Sequence, residues 1–415
     1  MTVGSLFPLV TKFNGERYRK AERSSELVAP PYDVISPAQR RIYLERSEHN
    51  IVRLILPGGN GDRYTHAATI LRSWRDQNVL IQDPDPAVYV VRQEFETPDG
   101  DARVRTGVIG AVAVEPYDRA RVRPHEKTHR GAKADRLALM QSMRSMFEAL
   151  LMMSRDRTGE LRNQLQTATS TQPDVQASLE GVGISLWRVS GPMGEEIARA
   201  AAAADGTLYI ADGHHRYETA ETYRSEHPEA DRTLGLIVPL GDPGLEVLPT
   251  HRIIRGEPVD QLNVLDQITD RFDVTTLASA HDAEAYLTGG IEYTRCVVYL
   301  PGPNFLGLSL RERADLSTLP FAGEEAVLAL DVARIDHLVV DPIVGIAGTK
   351  ADVGYCPSIK MVMQRVYSEG ASAAVLINTT RVEQVLAVAD AGAFMPQKST
   401  YFAPKVPSGL VILSW

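Results

Sequence analysis

The sequence predicts a mixed α/β fold, α+β in part, and three patterns carry that prediction. Between 184 and 240, short apolar runs alternate with helical stretches: ISLWRVS, an Ala-rich segment, TLYIAD, HRYETAETYRSE and LGLIVPL. Ahead of them, 86–96 and 102–115 alternate apolar and polar residues around TPDGD, which predicts a long antiparallel hairpin. Beyond about 258 the order becomes helix, short strand, helix, strand, in QLNVLDQITDRF, DVTTL, HDAEAYLTG and TRCVVYLP.

The remaining elements follow in chain order. PPYDVISPAQRRIYLER (30–46) opens with a rigid turn. Ser36 then has the features of an N-cap, with Pro37 at the first helical position and Gln39 completing a capping box. NIVRLILP (50–57) reads as a buried strand and 64–78 as an amphipathic helix. RPHEKTHRGAK (123–133) is a polar loop. It leads into ADRLALMQSMRSMFEALLMM, read as a helix from apolar residues at 137, 140, 143, 147 and 151. The polar stretch 155–182, with SLEGVG, reads as a flexible connection or a small excursion. ASAAVLIN (371–378) and GLVILSW (409–415) are strand candidates. Three parts are expected: an α+β part over 1–155, a core over 183–258 that could join it as one domain, and an α/β part over 259–415.

Of 415 residues, 44% are apolar and 23% charged, which suits a chain with a substantial core and excludes a disordered or fibrous protein. No apolar run approaches the ~18 residues of a membrane span, and the start shows no basic leader or cleavage site. A net charge of −9 argues against bulk binding to nucleic acid or anionic membranes. Cys296 and Cys356 form neither a metal spacing nor a disulfide framework, so a reduced cytoplasmic setting is expected. Only 8 of the 44 basic residues are Lys, and four of those fall within 124–136 and 395–405. A chain that covers its surface with Arg keeps Lys where a compact ammonium is useful.

The sharpest motif is LYIADGHHRYETAETYR (208–224). An apolar strand ends at Asp212, Gly213 turns, and a helix starts at His214 or His215. Helix starts present unpaired N–H groups and attract phosphate. Gly213 permits close approach, while His214, His215 and Arg216 add donors. Asp212 is the odd member, since a carboxylate ~5 Å from a phosphate charge costs about 3 kcal/mol at an effective dielectric near 20. That cost makes sense if Mg²⁺ lies between them or if Asp212 takes a proton from a nucleophile. A plain Asp cap beside structural histidines is the alternative.

HEKTH (125–129) fits H-E-x-x-H, the pattern of zinc peptidases, and Glu148 stands 19 residues beyond His129 as a third-ligand candidate. Pro124, Gly131 and the Lys127 cation argue against a helical zinc site. The favoured reading is an anion-site loop. There Glu126 serves as base or Mg²⁺ ligand, and His125, Lys127, His129, Lys133 and Arg136 supply positive charge.

Tyr32 and Asp33 follow Pro30-Pro31 and are candidates for a substrate pocket, with Asp33 binding an ammonium or acting as base. In MPQKSTYFAPK (395–405), Lys398, Ser399 and Thr400 could hold phosphate oxygens, and Tyr401 or Phe402 could stack on a base. His251, in LPTHRII, reads as structural. No P-loop, no G-x-G-x-x-G after a strand and no G-x-S-x-G is present.

APPYDVIS (29–36), HEKTH with its following Lys and DR (125–136), YIADGHHRYETA (209–220) and MPQKSTYFAPKVPSGL (395–410) together resemble the family called Domain of Unknown Function 1015. DGHHR alone is similar to the signature of free-serine kinases built on the ParB/sulfiredoxin fold. That resemblance implies a ParB/sulfiredoxin-like phosphate-binding core. It also implies nucleotide binding by Asp212, Gly213, His214, His215 and Arg216, with Asp212 assisting transfer to a serine hydroxyl.

The reading that results is a nucleotide- and Mg²⁺-dependent phosphotransferase using ATP or ADP on a small hydroxylated metabolite, with free L-serine to O-phosphoserine as the specific case. Asp212, Glu126 and Asp33 are its catalytic candidates, and Asp212 and Glu126 its metal candidates. Gly213, His214, His215, Arg216, Lys127, Lys133, Lys398, Ser399 and Thr400 would contact phosphate or nucleotide, and Tyr32, His125 and Tyr401 the substrate. The rivals are a ParB-like nucleotide-binding regulator and a zinc hydrolase using HEKTH. A small molecule and a nucleotide are the expected partners, with neither membrane nor nucleic acid. Homo-oligomerisation is left open.

Overall fold

The structure is a computed structural model describing residues 7–58, 62–98, 100–119, 121–128, 130–202, 205–290, 293–302 and 304–415. It is a mixed α/β protein of two compact units. The first runs up to Pro124, then takes in Thr128–Glu246 and Pro404–Trp415. The second comprises His125–Lys127 and Val247–Ala403.

The first unit is organised by a nine-stranded mixed sheet. Its order is Val122–Arg123, Leu208–Asp212, Leu150–Ser154, Arg232–Pro239, Ala102–Ala113, Ala87–Glu96, Val182–Ser190 and Val175–Leu179, with Val10–Thr11 added beside Ala102–Ala113. Arg232–Pro239 runs parallel to Leu150–Ser154, and Leu208–Asp212 runs parallel to Val122–Arg123. The hairpin expected at 86–115 is present, with Val90 opposite Val108. One apolar cluster joins sheet residues Val90, Val112, Met152, Ile210 and Ile237 to Leu161 and Leu165 of the helix Glu160–Ala168, to Ile197 of the helix Gly191–Ala201, and to Tyr217. The capping box at Ser36 also forms, with Gln39 on the far side.

Three stretches fold otherwise than the sequence suggests. Residues 50–57 are not a strand: Val52–Ile55 is a helical turn. Asn50 Oδ1 accepts the Val52 amide at 2.9 Å while its own amide group donates to Glu26 and Val28 carbonyls, so the side chain starts a turn. The helix at 134–153 covers Arg130–Met143 only. Arg144 takes a left-handed φ of 48°, and Leu150–Ser154 becomes a strand buried on both faces. Residues 155–182 are ordered, with the helix Glu160–Ala168 capped by Asp156, which accepts the Leu161 and Arg162 amides. Glu180 and Gly181, at φ 50° and 83°, then close a two-residue hairpin between Val175–Leu179 and Val182–Ser190.

The second unit carries an antiparallel sheet in the order Phe272–Leu277, Asn304–Leu310, Arg295–Leu300, Ala373–Ile377, His251–Arg255 and Asp352–Cys356. Ala283 and Leu287 of the helix Ala280–Thr288, and Val362 and Val366 of the helix Ile359–Glu369, pack on one of its faces. Arg252 is wholly buried and paired through two hydrogen bonds with Asp336. Beside it, His251 accepts the Ile377 amide through Nδ1 at 3.2 Å.

Burial and the Arg252 charge pull the His251 imidazole down to about 4. The unfolded chain therefore binds a proton that the folded unit refuses between pH ~6.5 and ~4. Stability of the second unit should fall across that window by roughly 3 kcal/mol and level off below it. Urea unfolding against pH checks this, and His251→Gln should flatten the slope. Among the described residues no helix is long and apolar enough to cross a membrane.

Candidate functional site

The strand Leu208–Asp212 runs antiparallel to Leu150–Ser154 as far as Ile210, where the register slips and Asp212 stands opposite Leu151. Such a bulge takes the last side chain out of the strand's alternation. Gly213 follows at φ 101°, and a Cβ there would lie 2.7 Å from Leu150 Cδ2 and 3.0 Å from the Arg216 guanidinium. Gly213→Ala should therefore cost about 1–3 kcal/mol, read as a lowered denaturation midpoint. An unchanged midpoint would refute the left-handed turn. The helix His214–Glu226 begins here, with Gly213 at its N-cap and no side-chain cap bond.

Around this turn the first unit gathers an ionic network. Asp212 Oδ2 accepts from Arg216 at 2.8 Å and Oδ1 from Lys405 at 2.5 Å. Arg216, 4% exposed, also donates to the Ala149 carbonyl at 2.6 Å. The charge of buried Glu148 acts on Arg216 from the other side. Glu148 Oε1 accepts the Tyr32 amide at 2.9 Å and the Ser408 hydroxyl at 3.3 Å, while Oε2 lies 3.8 Å from Arg136. The Arg136 guanidinium sits 4.0 Å from the centre of the Tyr32 ring. Asp33 is exposed, and its charge is felt by both Glu148 and Arg216.

The charges are tuned accordingly. Burial by itself would raise the Asp212 carboxyl, but Lys405 and Arg216 hold it well below the usual range. Burial raises Glu148, against the pull of Arg216 and Arg136. Burial and the Asp33 charge push the Tyr32 phenol up to about 12. Burial disfavours the Arg216 charge, and Asp212 and Glu148 more than restore it. Lys133 is paired with Glu218 at 2.7 Å. His214 is buried and adds to the positive surroundings of Asp212, and His215 is half-buried.

A second cluster belongs to the second unit. Glu126 bridges to Met395, whose amide bonds the His125 carbonyl at 2.8 Å, and the Lys398 amide points at Glu126 Oε1 from 3.5 Å. His125 Nε2 lies 3.3 Å from Thr400 Oγ1. Lys398 is exposed at a left-handed φ of 56°. Lys127 lies over the Phe394 ring, 5.6 Å from its centre. Buried Ser399 donates to the Pro396 carbonyl, and Tyr401 is half-buried. His125–Thr128 is not helical, so the one-faced helix that H-E-x-x-H needs is not formed; His129 lies outside the described residues.

Residues 10–333 match the family model described as a protein of unknown function, DUF1015. The chain belongs to the DUF1015 family. Comparison with curated proteins finds no match. Among solved structures, this DUF1015 protein is similar to a free serine kinase variant in complex with AMP, at 10% identity and a TM-score of 0.38, over 70% of this chain and 90% of that one. A free serine kinase variant in complex with ADP gives 11% and 0.37 over 70% and 90%. A conserved hypothetical protein from Pyrococcus furiosus gives 13% and 0.35 over 71% and 92%. The chemistry of the site has to come from its own side chains.

Two members of the network escape a sequence reading. Lys405 ends the MPQKSTYFAPK segment and is one of the scarce lysines, but neither feature singles it out from Lys398 or names its partner. Glu148 has the spacing of a metal ligand from His129 but serves as an ionic partner inside the first unit. Each Asp212 oxygen already accepts from one cation, Oδ1 from Lys405 and Oδ2 from Arg216.

Proposed function

We propose that the turn at 212–216 binds the phosphates of ATP or ADP, and that the protein transfers a phosphoryl group to the hydroxyl of a small metabolite. Free L-serine is the acceptor to test first, as the likeness of DGHHR to free-serine kinases implies. One observation carries the reading: a buried guanidinium and an ammonium meet on a glycine turn at the start of a helix in the first unit. Phosphoryl transfer asks mainly for positioned positive charge.

On this reading Gly213, His214, His215 and Arg216 cradle phosphate. Asp212, too acidic to be an efficient base near neutral pH, orients the cations. Asp33 and Tyr32 stand on the acceptor side, with exposed Asp33 binding the acceptor ammonium or taking its proton. In the second unit Glu126 is the candidate base or Mg²⁺ ligand, Lys127, Lys398, Ser399 and Thr400 are candidates for phosphate contact, and His125 and Tyr401 for substrate contact. Lys133 contributes charge less directly, being paired with Glu218.

The test is incubation of the protein with ATP or ADP, with and without Mg²⁺, and mixed amino acids, followed by mass spectrometry. O-phosphoserine is expected. Nucleotide binding without any phosphorylated product would point to a regulatory protein. Failure to bind either nucleotide would overturn the proposal.

A further inference from the structure

We propose that Lys405 is the cation this turn hands from Asp212 to an incoming phosphate, and that the buried pair Arg105 and Gln93 positions it. The hand-over rests on reading the turn as a phosphate site. The positioning does not, and it is tested separately.

Lys405 and Asp212 side chains are 17% and 20% exposed, so the pair is largely desolvated yet reachable from solvent. Asp212 keeps Arg216 when Lys405 leaves, so the exchange strands no carboxylate. A phosphate carries more negative charge than a carboxylate and draws the ammonium on a flexible four-carbon stem. The swing also removes a contact that would otherwise compete with the incoming anion.

What holds Lys405 is its backbone. Residues 404–407 form no helix or strand, so the sheet cannot fix them through its own ladder. Gln93 and Arg105 stand directly opposite each other in the long hairpin. Each is 1% exposed. Arg105 donates to Gln93 Oε1 through Nη2 at 2.5 Å and through Nε at 3.2 Å. Its Nη2 donates to the Pro404 carbonyl at 2.6 Å, and Gln93 Nε2 donates to the Lys405 carbonyl at 3.1 Å. Two consecutive carbonyls are thus caught by two sheet-borne side chains that also lock each other.

Burial of the Arg105 charge is expensive, pulling its pKa down to about 10 against the favourable charges of Asp242 and Asp212. A pair of apolar residues would fill the same interior without that cost. What they would lack is rigid donors for a segment with no ladder of its own.

The experiment labels the full-length protein with limiting acetylating reagent over a range of alkaline pH and reads each lysine by peptide mass spectrometry. Exposed Lys360 is the internal reference. In the parent, Lys405 should react more slowly than Lys360, because Asp212 holds its ammonium at 2.5 Å and the side chain is only 17% exposed. In Arg105→Met, and in Gln93→Met should the first fail to fold, Lys405 should react about tenfold faster relative to Lys360. Arg105→Lys, which keeps the charge but loses the fork, should not restore protection. Unchanged Lys405 reactivity in a folded variant, with a parental near-UV spectrum, would overturn the positioning role.

ADP binding by calorimetry tests the hand-over. Lys405→Met should weaken ADP about tenfold. Equal affinity would overturn the hand-over while leaving the phosphate reading intact. A parent that binds neither ADP nor ATP would remove the phosphate reading itself, and the labelling result would still judge the positioning alone.

Discussion

An Arg216→Met variant is expected to unfold about 10 °C below the parent. The guanidinium is nearly inaccessible and hydrogen-bonded to Asp212 and the Ala149 carbonyl, with the Glu148 charge also acting on it. Methionine fills much of the space but leaves the Ala149 carbonyl without that donor and two carboxylates short of a cation. Breaking a buried pair from one side costs about 3–5 kcal/mol. For a unit of this size each kcal/mol moves the midpoint by roughly 2–4 °C. The deficit should depend on pH in a definite sense. Glu148 is raised above its ordinary value, so the native state binds its proton more readily than the unfolded chain does. Its ionisation costs stability as pH rises, and losing Arg216 enlarges that cost. The gap between variant and parent should therefore narrow on acidification. Scanning calorimetry at several pH values measures it; an unshifted midpoint would mean that Arg216 is no buried counter-ion.

For Asp212→Asn, a fall of about 10³-fold in serine phosphorylation is the expected result, with nucleotide affinity equal to the parent's or tighter. Asn preserves size and removes the charge that aims Lys405 and Arg216. The same change removes a carboxylate that repels phosphate, at about 3 kcal/mol for ~5 Å separation. Turnover should thus fall while nucleotide affinity holds or rises, which unfolding alone cannot produce. Product formation by mass spectrometry and nucleotide affinity by calorimetry, on the same preparation, decide it. Unchanged phosphorylation would remove Asp212 from the reaction.

What the sequence conveys clearly is what neighbours in the chain decide. The capping box of Ser36 and Gln39, the 86–115 hairpin and the glycine turn at 213 all rest on local chemistry, and all are present. LLMM at 150–153 is ambiguous, because a short apolar run suits a buried helix and a buried strand equally. Only pairing with Leu208–Asp212 and Arg232–Pro239 settles it as strand. SLEGVG could have been read as a hairpin turn from its glycine, but polar flanks hid it. The Lys405 contacts lie further from view. Its partner Asp212 is 193 positions away, and the Arg105 contact to Pro404 spans 299. No periodicity or motif encodes separations of that kind.

The discontinuity of the first unit sets an order of events during translation. Asp212, Arg216 and Glu148 leave the ribosome before residues 247–403 are made, and Lys405 and Ser408 only afterwards. Until then Asp212 lacks Lys405 and Glu148 lacks Ser408, while the inserted unit has time to fold. The surroundings of the turn at 212–216 are therefore the final piece of this unit to mature, and a truncated translation product would carry a nearly complete sheet around an unfinished ionic network.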